Sequence, residues 1–314
     1  MKALVTGGCG FIGSHLVQKL LAMKCEVFNI DKLTYAANPE FLRESASNLL
    51  YKFSNVDITD KDGVQRAIDY AKPDVVFHLA AESHVDNSIA NADDFVNTNV
   101  VGTYNLLEAV KERDIRFIHV STDEVYGSIR EGSFTEDTSY NPRSPYSATK
   151  AASDHLVHAW YVTYGSDTII THCTNNYGPN QQTEKLIPTV ITKILNKEKI
   201  PVYGDGKNVR DWMWVGDHVN GLVKAAVYGE AGQTYNFGDN RHELTNLELV
   251  RQIIKTMGAS EDLIEFVEDR LGHDFRYSVD STYAARILSW APLKDMEQGL
   301  KETIAWYVNE KGLS

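Results

Sequence analysis

The sequence contains little cysteine, with only Cys9, Cys25 and Cys173 among 314 residues. An odd, sparse set of thiols is typical of a protein of the reducing cytosol, and it disfavours a small extracellular fold held together by disulfides. The chain also lacks CxxC and HExxH spacings. The sequence therefore gives no indication of a metal site.

Basic residues are scarce relative to acidic ones. Lys and Arg total 31 against 43 Asp and Glu, which gives a formal net charge of -12. This balance disfavours a nucleic-acid partner or an anionic membrane surface. A small anionic ligand remains compatible with it, because a local basic patch can oppose the global charge.

Long apolar runs are absent as well. No run approaches the roughly 18 residues that a membrane-spanning helix needs. The opening segment MKALVTGG leads from Met1 directly into a predicted strand, without a charged and then apolar leader. We therefore expect no membrane partner and a cytoplasmic location.

Short apolar segments alternate with helical periodicity in the first half of the chain. We predict strands at residues 3–7, 26–30, 51–57, 75–80, 116–121 and 168–173. This alternation predicts an α/β fold with a doubly wound parallel sheet and right-handed crossovers. The strands are apolar on both faces, as buried parallel strands are.

A glycine-rich segment, TGGCGFIGSHL at residues 6–16, follows the first predicted strand and opens the first helix. Gly7, Gly10 and Gly13 permit a tight turn and a close approach of the backbone to a pyrophosphate, which then lies at the positive helix N-terminus. In this context the motif predicts a Rossmann dinucleotide-binding domain.

An acidic residue, Asp31, ends the second predicted strand 18 residues after Gly13. A carboxylate there accepts hydrogen bonds from ribose hydroxyls and repels a 2′-phosphate, which favours NAD over NADP. Lys32 beside it weakens this preference, and a role for Asp31 as a turn or cap residue stays open.

The pattern becomes irregular after about residue 175. Segments 175–188 and 203–212 are rich in loop-forming residues, and helices are predicted near 245–257 and 295–311. We predict a Rossmann domain over residues 1–174, with return segments near 217–240, and a smaller mixed α/β lobe over residues 175–314.

Tyr146 and Lys150 in SPYSATKAASDHL are spaced i, i+4 on a predicted helix, which puts both on one face. An ammonium near a phenol is expected to lower the tyrosine pKa. The tyrosine could then exchange a proton with a sugar hydroxyl during hydride transfer.

Two adjacent carboxylates, Asp123 and Glu124, follow Thr122 in VSTDEVYG at the end of the fifth predicted strand. Together with the glycine motif and YxxxK, this arrangement resembles the extended short-chain dehydrogenase/reductase family. Within it, the STDEVYG segment is similar to nucleoside-diphosphate-sugar 4,6-dehydratases, and the resemblance covers almost the whole chain.

The resemblance implies roles for five catalytic residues. Glu124 would remove the carbon 5 proton of a hexose, and protonated Asp123 would donate to the departing carbon 6 hydroxyl. Thr122 would bond the carbon 4 hydroxyl and assist Tyr146 as base, while Lys150 would hold the nicotinamide ribose. Because adjacent carboxylates in a closed pocket repel each other, one of them tends to keep its proton.

The resemblance also implies binding residues for NAD and for a nucleotide sugar. Cofactor positions are Gly7, Gly10, Phe11, Ile12, Gly13, Asp31, Lys32, Leu33, Thr34, Asp57, Ile58, Leu79, Ala80, Ala81, Ser83, Thr98, Tyr146, Lys150 and Asn176. Substrate positions are Ser83, Thr122, Asn175, Lys185, Leu186, Pro201, Tyr203, Arg210, Asn246, Arg270 and His273. Arg210 and Arg270 are expected to grip a diphosphate through their planar forks.

The expected reaction is conversion of dTDP-glucose to its 4-keto-6-deoxy form. UDP-glucose and UDP-N-acetylglucosamine stay open as substrates, because Asn87 stands where many dTDP-glucose enzymes have arginine and because one methyl group separates thymine from uracil. A 4-epimerase has no use for the acid pair, and a non-catalytic NAD-binding protein would not need it. The resemblance further implies a homodimer through helices near 92–112 and 146–163.

Overall fold

The computed structural model describes residues 1–241, 243–269 and 272–310. Strands in these ranges are β1 (Lys2–Thr6), β2 (Glu26–Asp31), β3 (Tyr51–Asn55), β4 (Val75–His78), β5 (Arg116–Val120), β6 (Thr168–Cys173), β7 (Asn175–Tyr177), β8 (Ile200–Tyr203), β9 (Val209–Trp214), β10 (Thr234–Phe237), β11 (Glu243–Thr245) and β12 (Ile264–Val267). Seven of them form one sheet in the order β10-β6-β5-β4-β1-β2-β3, with every neighbouring pair parallel. The predicted doubly wound α/β architecture is confirmed.

Helices cover both faces of this sheet. They are α1 (Phe11–Ala22), α2 (Lys61–Ala71), α3 (Val85–Ala90), α4 (Asp93–Phe95), α5 (Thr103–Val110), α6 (Pro145–Tyr164), α7 (Leu186–Leu195), α8 (Val215–Tyr228), α9 (Asn246–Met257), α10 (Thr282–Leu288) and α11 (Met296–Glu310), with a π-helical segment, Val96–Gly102, before α5. Among the described residues, no helix has both the length and the apolar character needed to span a bilayer.

Two apolar cores hold the helices to the sheet. One packs α1 and α8 against one face, with Leu16 and Leu222 fully buried, and the other packs α2, α5 and α6 against the opposite face around Ile68 and Leu106. Burying a side chain of this size contributes about 1.5–3 kcal/mol. The helical spacing expected in the first helix is present, because α1 buries its repeating apolar positions.

A smaller mixed sheet follows the large one along the chain. β7, β9 and β11 form three strands, β8 pairs with β12, and a third apolar core joins them to α7, α9 and α11. β10 comes from this late part of the chain and still joins the large sheet beside β6. The division into domains at residue 174 stays a prediction.

One local expectation was wrong. β3 lies at the edge of the sheet and exposes Lys52 and Phe53, so it is not buried on both faces. The segment 203–212 contains a loop at residues 204–208, as expected, but β9 begins at Val209 and pairs with both β7 and β11. Its polar residues concealed a strand that is stabilised by tertiary contacts.

Candidate active site

One cavity opens at the carboxyl ends of β1, β2, β4 and β5, where the loops after these parallel strands meet at one edge of the sheet. It brings together most of the predicted site residues. They are Gly7, Gly10, Phe11, Ile12, Gly13, Asp31, Lys32, Thr34, Ile58, Leu79, Ala80, Ala81, Ser83, Thr98, Thr122, Asp123, Glu124, Tyr146, Lys150, Asn175, Asn176 and Lys185.

The glycine turn between β1 and α1 has no room for side chains. Gly7 has a φ of +71°, and a Cβ on it would lie 2.7 Å from the backbone nitrogen of Ala80. A Cβ on Gly13 would lie 2.2 Å from the Gly7 carbonyl oxygen. The turn therefore presents bare backbone at the N-terminus of α1, which fits the pyrophosphate of a dinucleotide.

The acidic end of β2 is held rigidly. The Asp31 carboxylate accepts hydrogen bonds from the backbone amides of Cys9, at 2.9 Å, and Leu33, at 2.8 Å. Burial raises its pKa. Lys32 lies 3.3 Å from Glu82 and 4.0 Å from Asp57, so two carboxylates compete for the charge of this lysine.

A strong start signal fixes α6. Ser144 caps the helix, its side chain and that of Ser147 form a reciprocal capping box, and Pro145 occupies the first turn. Tyr146 therefore lies in the first turn and Lys150 one turn later, where both line the cavity. The sequence spacing alone is enough to produce this arrangement once the helix begins at Pro145.

The expected effect of Lys150 on Tyr146 is not present in this structure. Burial of the phenol, followed by the charge of Glu124, raises the pKa of Tyr146 well above its ordinary value. The Lys150 ammonium donates instead to the backbone carbonyl of Val120, at 2.9 Å. Burial lowers the lysine pKa to about 8.

The acid pair lies on a single helical turn, Asp123–Tyr126, immediately after β5. Thr122 caps this turn, because its hydroxyl accepts from the Glu124 amide at 3.3 Å. The same hydroxyl donates to Oδ1 of Asp123 at 3.4 Å. Asp123 is buried and Glu124 half-buried, so the turn holds two adjacent carboxyls in unequal surroundings.

The difference in burial between Asp123 and Glu124 gives the two carboxyls different proton affinities. Burial, and then the Glu124 charge, raises the pKa of Asp123 well above its usual range. Oδ2 of Asp123 has no hydrogen-bond partner among the described residues. A proton on that oxygen is therefore available to a group bound in the cavity. The expectation that one carboxyl keeps its proton agrees with these surroundings, with burial as the larger cause.

Several lining residues were not predicted. They are Ile30, Ala36, Ala37, Val56, Val120, Ser121, Cys173, Thr174, Gln181 and Gln182. Ser121 and Thr174 directly follow sheet strands, a position that could have identified them. Gln181 and Gln182 come from the loop before α7, and Gln182 donates to the Ala36 carbonyl at 2.8 Å. Nothing in the local sequence signals that long-range contact.

Other predicted residues lie outside the cavity walls. They are Leu33, Asp57, Leu186, Pro201, Tyr203, Arg210, Asn246 and His273. Arg270 lies outside the described residues. The ring of Tyr203 is 6.4 Å from that of His273, and Asn246 begins α9 with its amide bonded to the Asn208 carbonyl. Leu33 and Asp57 follow β2 and β3, Leu186 begins α7, Pro201 and Tyr203 lie on β8, and Arg210 lies on β9.

Arg210 is buried between the small sheet and the acid pair. Its guanidinium donates to the backbone carbonyls of Val209 and Asp274, at 2.7 and 2.9 Å, and lies 4.2 Å from the Tyr277 ring centroid. Its positive charge also opposes the upward pKa shift of Asp123. Whether it holds a diphosphate stays a prediction.

Similar proteins agree with this geometry. The family model described as GDP-mannose 4,6 dehydratase matches residues 4–303. The dTDP-glucose 4,6-dehydratase of Neisseria meningitidis is 48% identical, with 99% of this chain and 94% of that protein covered. The crystal structure of the dTDP-glucose 4,6-dehydratase DesIV from Streptomyces venezuelae, which contains NAD, superimposes with a TM-score of 0.95 at 44% identity, covering 99% of this chain and 98% of that one.

The fold by itself is shared more widely. A UDP-glucose 4-epimerase from Thermotoga maritima superimposes with a TM-score of 0.92 at 29% identity and covers both chains completely. One architecture therefore serves different reactions, and the site residues must distinguish them. The match across residues 4–303, supported by full-length relatives at 48% identity, shows that the chain belongs to the GDP-mannose 4,6 dehydratase family of nucleotide-sugar dehydratases.

Proposed function

We propose that the protein catalyses NAD-dependent 4,6-dehydration of dTDP-glucose to dTDP-4-keto-6-deoxyglucose. The observation that carries this proposal is the placement of Asp123 and Glu124 in the same cavity as Tyr146 and Lys150. An epimerase needs only the tyrosine and the lysine. Elimination of water also needs an acid and a base beside the sugar, and the acid pair supplies both.

NAD is the cofactor that the lining residues fit. The bare glycine turn suits a pyrophosphate, and the Asp31 carboxylate favours ribose hydroxyls over a 2′-phosphate. When bound, NAD supplies a hydride acceptor for carbon 4, a hydride donor for carbon 6 and a positive charge on its nicotinamide ring. Gly7, Gly10 and Gly13 would hold the pyrophosphate, and Lys150 would hold the nicotinamide ribose.

Oxidation at carbon 4 requires a base for the hydroxyl proton. Tyr146 would take that proton, assisted by a hydrogen bond between Thr122 and the oxygen of the hexose hydroxyl. A positive charge near a phenol lowers its pKa. This effect opposes the burial that keeps Tyr146 protonated in the structure.

Elimination follows because the 4-keto group acidifies the carbon 5 proton. Glu124 would accept that proton, while Asp123 would give its own proton to the carbon 6 hydroxyl, which leaves as water. Glu124 would then return the proton to carbon 5 as carbon 6 is reduced. Such acid–base steps typically contribute about 10²–10⁴-fold each.

The nucleotide part of the substrate would extend from the cavity toward the small sheet. Ser83, Asn175 and Lys185 stand at the cavity wall, and the Lys185 ammonium donates to the Ser83 carbonyl at 3.3 Å. Tyr203, Arg210, Asn246 and His273 lie beyond it. The names of the similar dehydratases favour a dTDP-sugar. A UDP-hexose is the alternative, because Asn87 stands where many dTDP-glucose enzymes have arginine.

The test is a mass spectrum of products after separate incubation with dTDP-glucose, UDP-glucose and UDP-N-acetylglucosamine. Loss of one water from dTDP-glucose alone is the expected result. Loss of water from a UDP-sugar would reassign the donor and keep the reaction type. An unchanged mass with every donor would refute dehydration, and chromatography for an isomer of equal mass would then test epimerisation.

We also propose that the protein is a homodimer formed through α6 and the helical region that ends in α5. Apolar side chains on this surface remain exposed in the single chain, including Val96, Val101 and Val162. A homodimer buries such residues. A cytoplasmic location stays a prediction, and Cys9, Cys25 and Cys173 support it because all three are free thiols.

A further inference from the structure

A buried carboxylate near the catalytic lysine has no part in the proposed reaction. Asp154 lies one turn after Lys150 on α6 and is 1% exposed. A carboxylate moved out of water costs several kcal/mol unless charges and hydrogen bonds compensate it. The partners of Asp154 therefore indicate what this residue does.

Three side chains from two neighbouring strands converge on it. Nε2 of His172 on β6 lies 3.0 Å from Oδ2, and the Ser121 hydroxyl donates to the same oxygen at 2.9 Å. Nε2 of His119 on β5 lies 3.1 Å from Oδ1. Burial alone would raise the pKa of Asp154, but the hydrogen bond from His172 and the close approach of His119 outweigh it and place the pKa well below its usual range.

His119 connects this carboxylate to the lysine. Its Nε2 atom lies 3.5 Å from Nζ of Lys150, in addition to its contact with Asp154. Burial lowers the pKa of His119 to about 4. A neutral imidazole therefore separates a buried ammonium from a buried carboxylate.

Other titratable groups also face the carboxylate. They are Tyr126 in the turn after β5, Tyr140 in the segment before α6, His172 on β6 and His119 on β5. Two further groups act on its neighbours, Glu136 on His172 and Cys173 on Lys150. Burial raises the pKa values of both tyrosines and of the cysteine, so these groups are neutral. Burial also raises the pKa of Glu136, whose carboxylate accepts from the Asn236 amide at 2.9 Å.

The lysine depends on this arrangement. Its ammonium is buried, and desolvation lowers its pKa to about 8. The charge of Asp154 is the largest influence opposing that loss. Asp154 also accepts a hydrogen bond from Ser121, the residue before the Thr122–Glu124 segment.

We propose that Asp154 is a positioning residue, whose carboxylate keeps Lys150 charged and fixes it against the end of β5 through His119 and Ser121. The importance of this role for catalysis rests on the proposed function. The electrostatic role itself does not, because it concerns the protonation of one side chain of this chain.

The test is an NMR titration of protein labelled with ¹³C at lysine Cε, with the Lys150 signal assigned by its absence from Lys150→Met. In the unaltered protein this signal should titrate near pH 8. Loss of a nearby opposite charge shifts a pKa by about 1–3 units. Asp154→Asn should therefore move the midpoint down by at least about one pH unit, and Asp154→Glu should restore most of it.

Asp217→Asn is the matched control. Asp217 is also buried and accepts from the Leu293 and Lys294 amides at 3.0 and 2.8 Å, but it lies outside the cavity. This control should lower stability and leave the Lys150 midpoint unchanged. An unchanged midpoint in Asp154→Asn, or an equal shift in Asp217→Asn, would overturn the proposal.

A second measurement remains informative if Asp154→Asn folds poorly. The double variant Lys150→Met with Asp154→Asn removes both charges and should unfold at a higher temperature than Asp154→Asn alone. Additive losses in the two single variants would count against the pairing. Product formation by the unaltered protein is scored separately, so failure of the dehydratase assignment and failure of the Asp154 role give different results.

Discussion

The Thr122 hydroxyl donates to Oδ1 of Asp123 at 3.4 Å, while Oδ2 of the same carboxyl has no protein partner among the described residues. The bond engages one oxygen of the carboxyl and leaves the other, which is buried, without a protein partner in the described part of the chain. Burial and the Glu124 charge raise the pKa of that carboxyl well above its usual range. The surroundings of Asp123 in this single turn thus favour its protonated form, which the proposed reaction needs as an acid.

The raised pKa of Asp123 predicts a pH-dependent stability. Above the unfolded pKa near 3.9, the folded chain keeps a proton that the unfolded chain has released, so stability falls as pH rises toward the folded pKa. Asp123→Asn lacks this loss. The variant should become progressively more stable than the unaltered protein as the pH rises from about 4 toward the folded pKa, by at most about 1.4 kcal/mol per pH unit. Urea unfolding measures the difference.

Asp262→Asn is the comparison for that titration. Asp262 is exposed in the short turn before β12, so its replacement should leave the pH dependence as it is. A constant difference between Asp123→Asn and the unaltered protein across this pH range would contradict the protonated state of Asp123.

Loss of the base should separate oxidation from elimination. Glu124→Gln cannot accept the carbon 5 proton, so we expect dehydration to fall by about 10²–10⁴-fold. The 4-keto sugar and reduced nicotinamide should still form, which absorbance and product mass would detect. Tyr146→Phe acts one step earlier and should form neither.

The exposed residue Glu131 provides the control for this experiment, because Glu131→Gln makes the same chemical change outside the cavity. It should retain full activity. Normal water loss in Glu124→Gln would show that another group removes the carbon 5 proton.

Much of the cavity wall at the carboxyl ends of the strands could be predicted from sequence, because the conformation of these loops depends on neighbouring residues. The glycine turn, the cap at Ser144 and the turn after Thr122 are each fixed by neighbouring residues. Parallel strands then bring these loops to one edge of the sheet. Local chemistry and sheet topology together explain why so many of the predicted residues surround one cavity.

The buried cluster of His119, Asp154 and His172 could not be predicted in the same way. His119, Asp154 and His172 come from β5, α6 and β6, and only packing of that helix on the sheet brings them together. Each reads as an isolated polar residue in the sequence. The expected lowering of the Tyr146 pKa was wrong for a related reason. The spacing shows that Tyr146 and Lys150 share a helix face, but it does not show that the Lys150 ammonium bonds the Val120 carbonyl.

The glycine turn predicts a defect in cofactor binding. In Gly13→Ala the new Cβ would meet the Gly7 carbonyl oxygen at 2.2 Å, so the backbone must shift where the pyrophosphate is expected. Overpacking of this kind costs about 1–3 kcal/mol, which corresponds to roughly 5- to 150-fold in affinity. NAD binding by calorimetry is the measurement.

Gly132→Ala controls for the effect of a methyl group on a glycine. A Cβ there meets no atom within 4 Å, although the φ of +76° still strains the backbone. We expect lower thermal stability and unchanged NAD affinity. Equal loss of affinity in both variants would show that the Gly13 effect is a general loss of folding.

The proposed dimer makes a prediction about surface charge. Val162 on α6 is 66% exposed in the single chain, and Val162→Asp would place a carboxylate inside the helical interface. We expect this variant to elute with the mass of one chain in size-exclusion chromatography with light scattering. Val227→Asp on α8, where the valine is 50% exposed, makes the same change away from α5 and α6. It should keep the mass of two chains, and a dimer that survived Val162→Asp would place the interface on another surface.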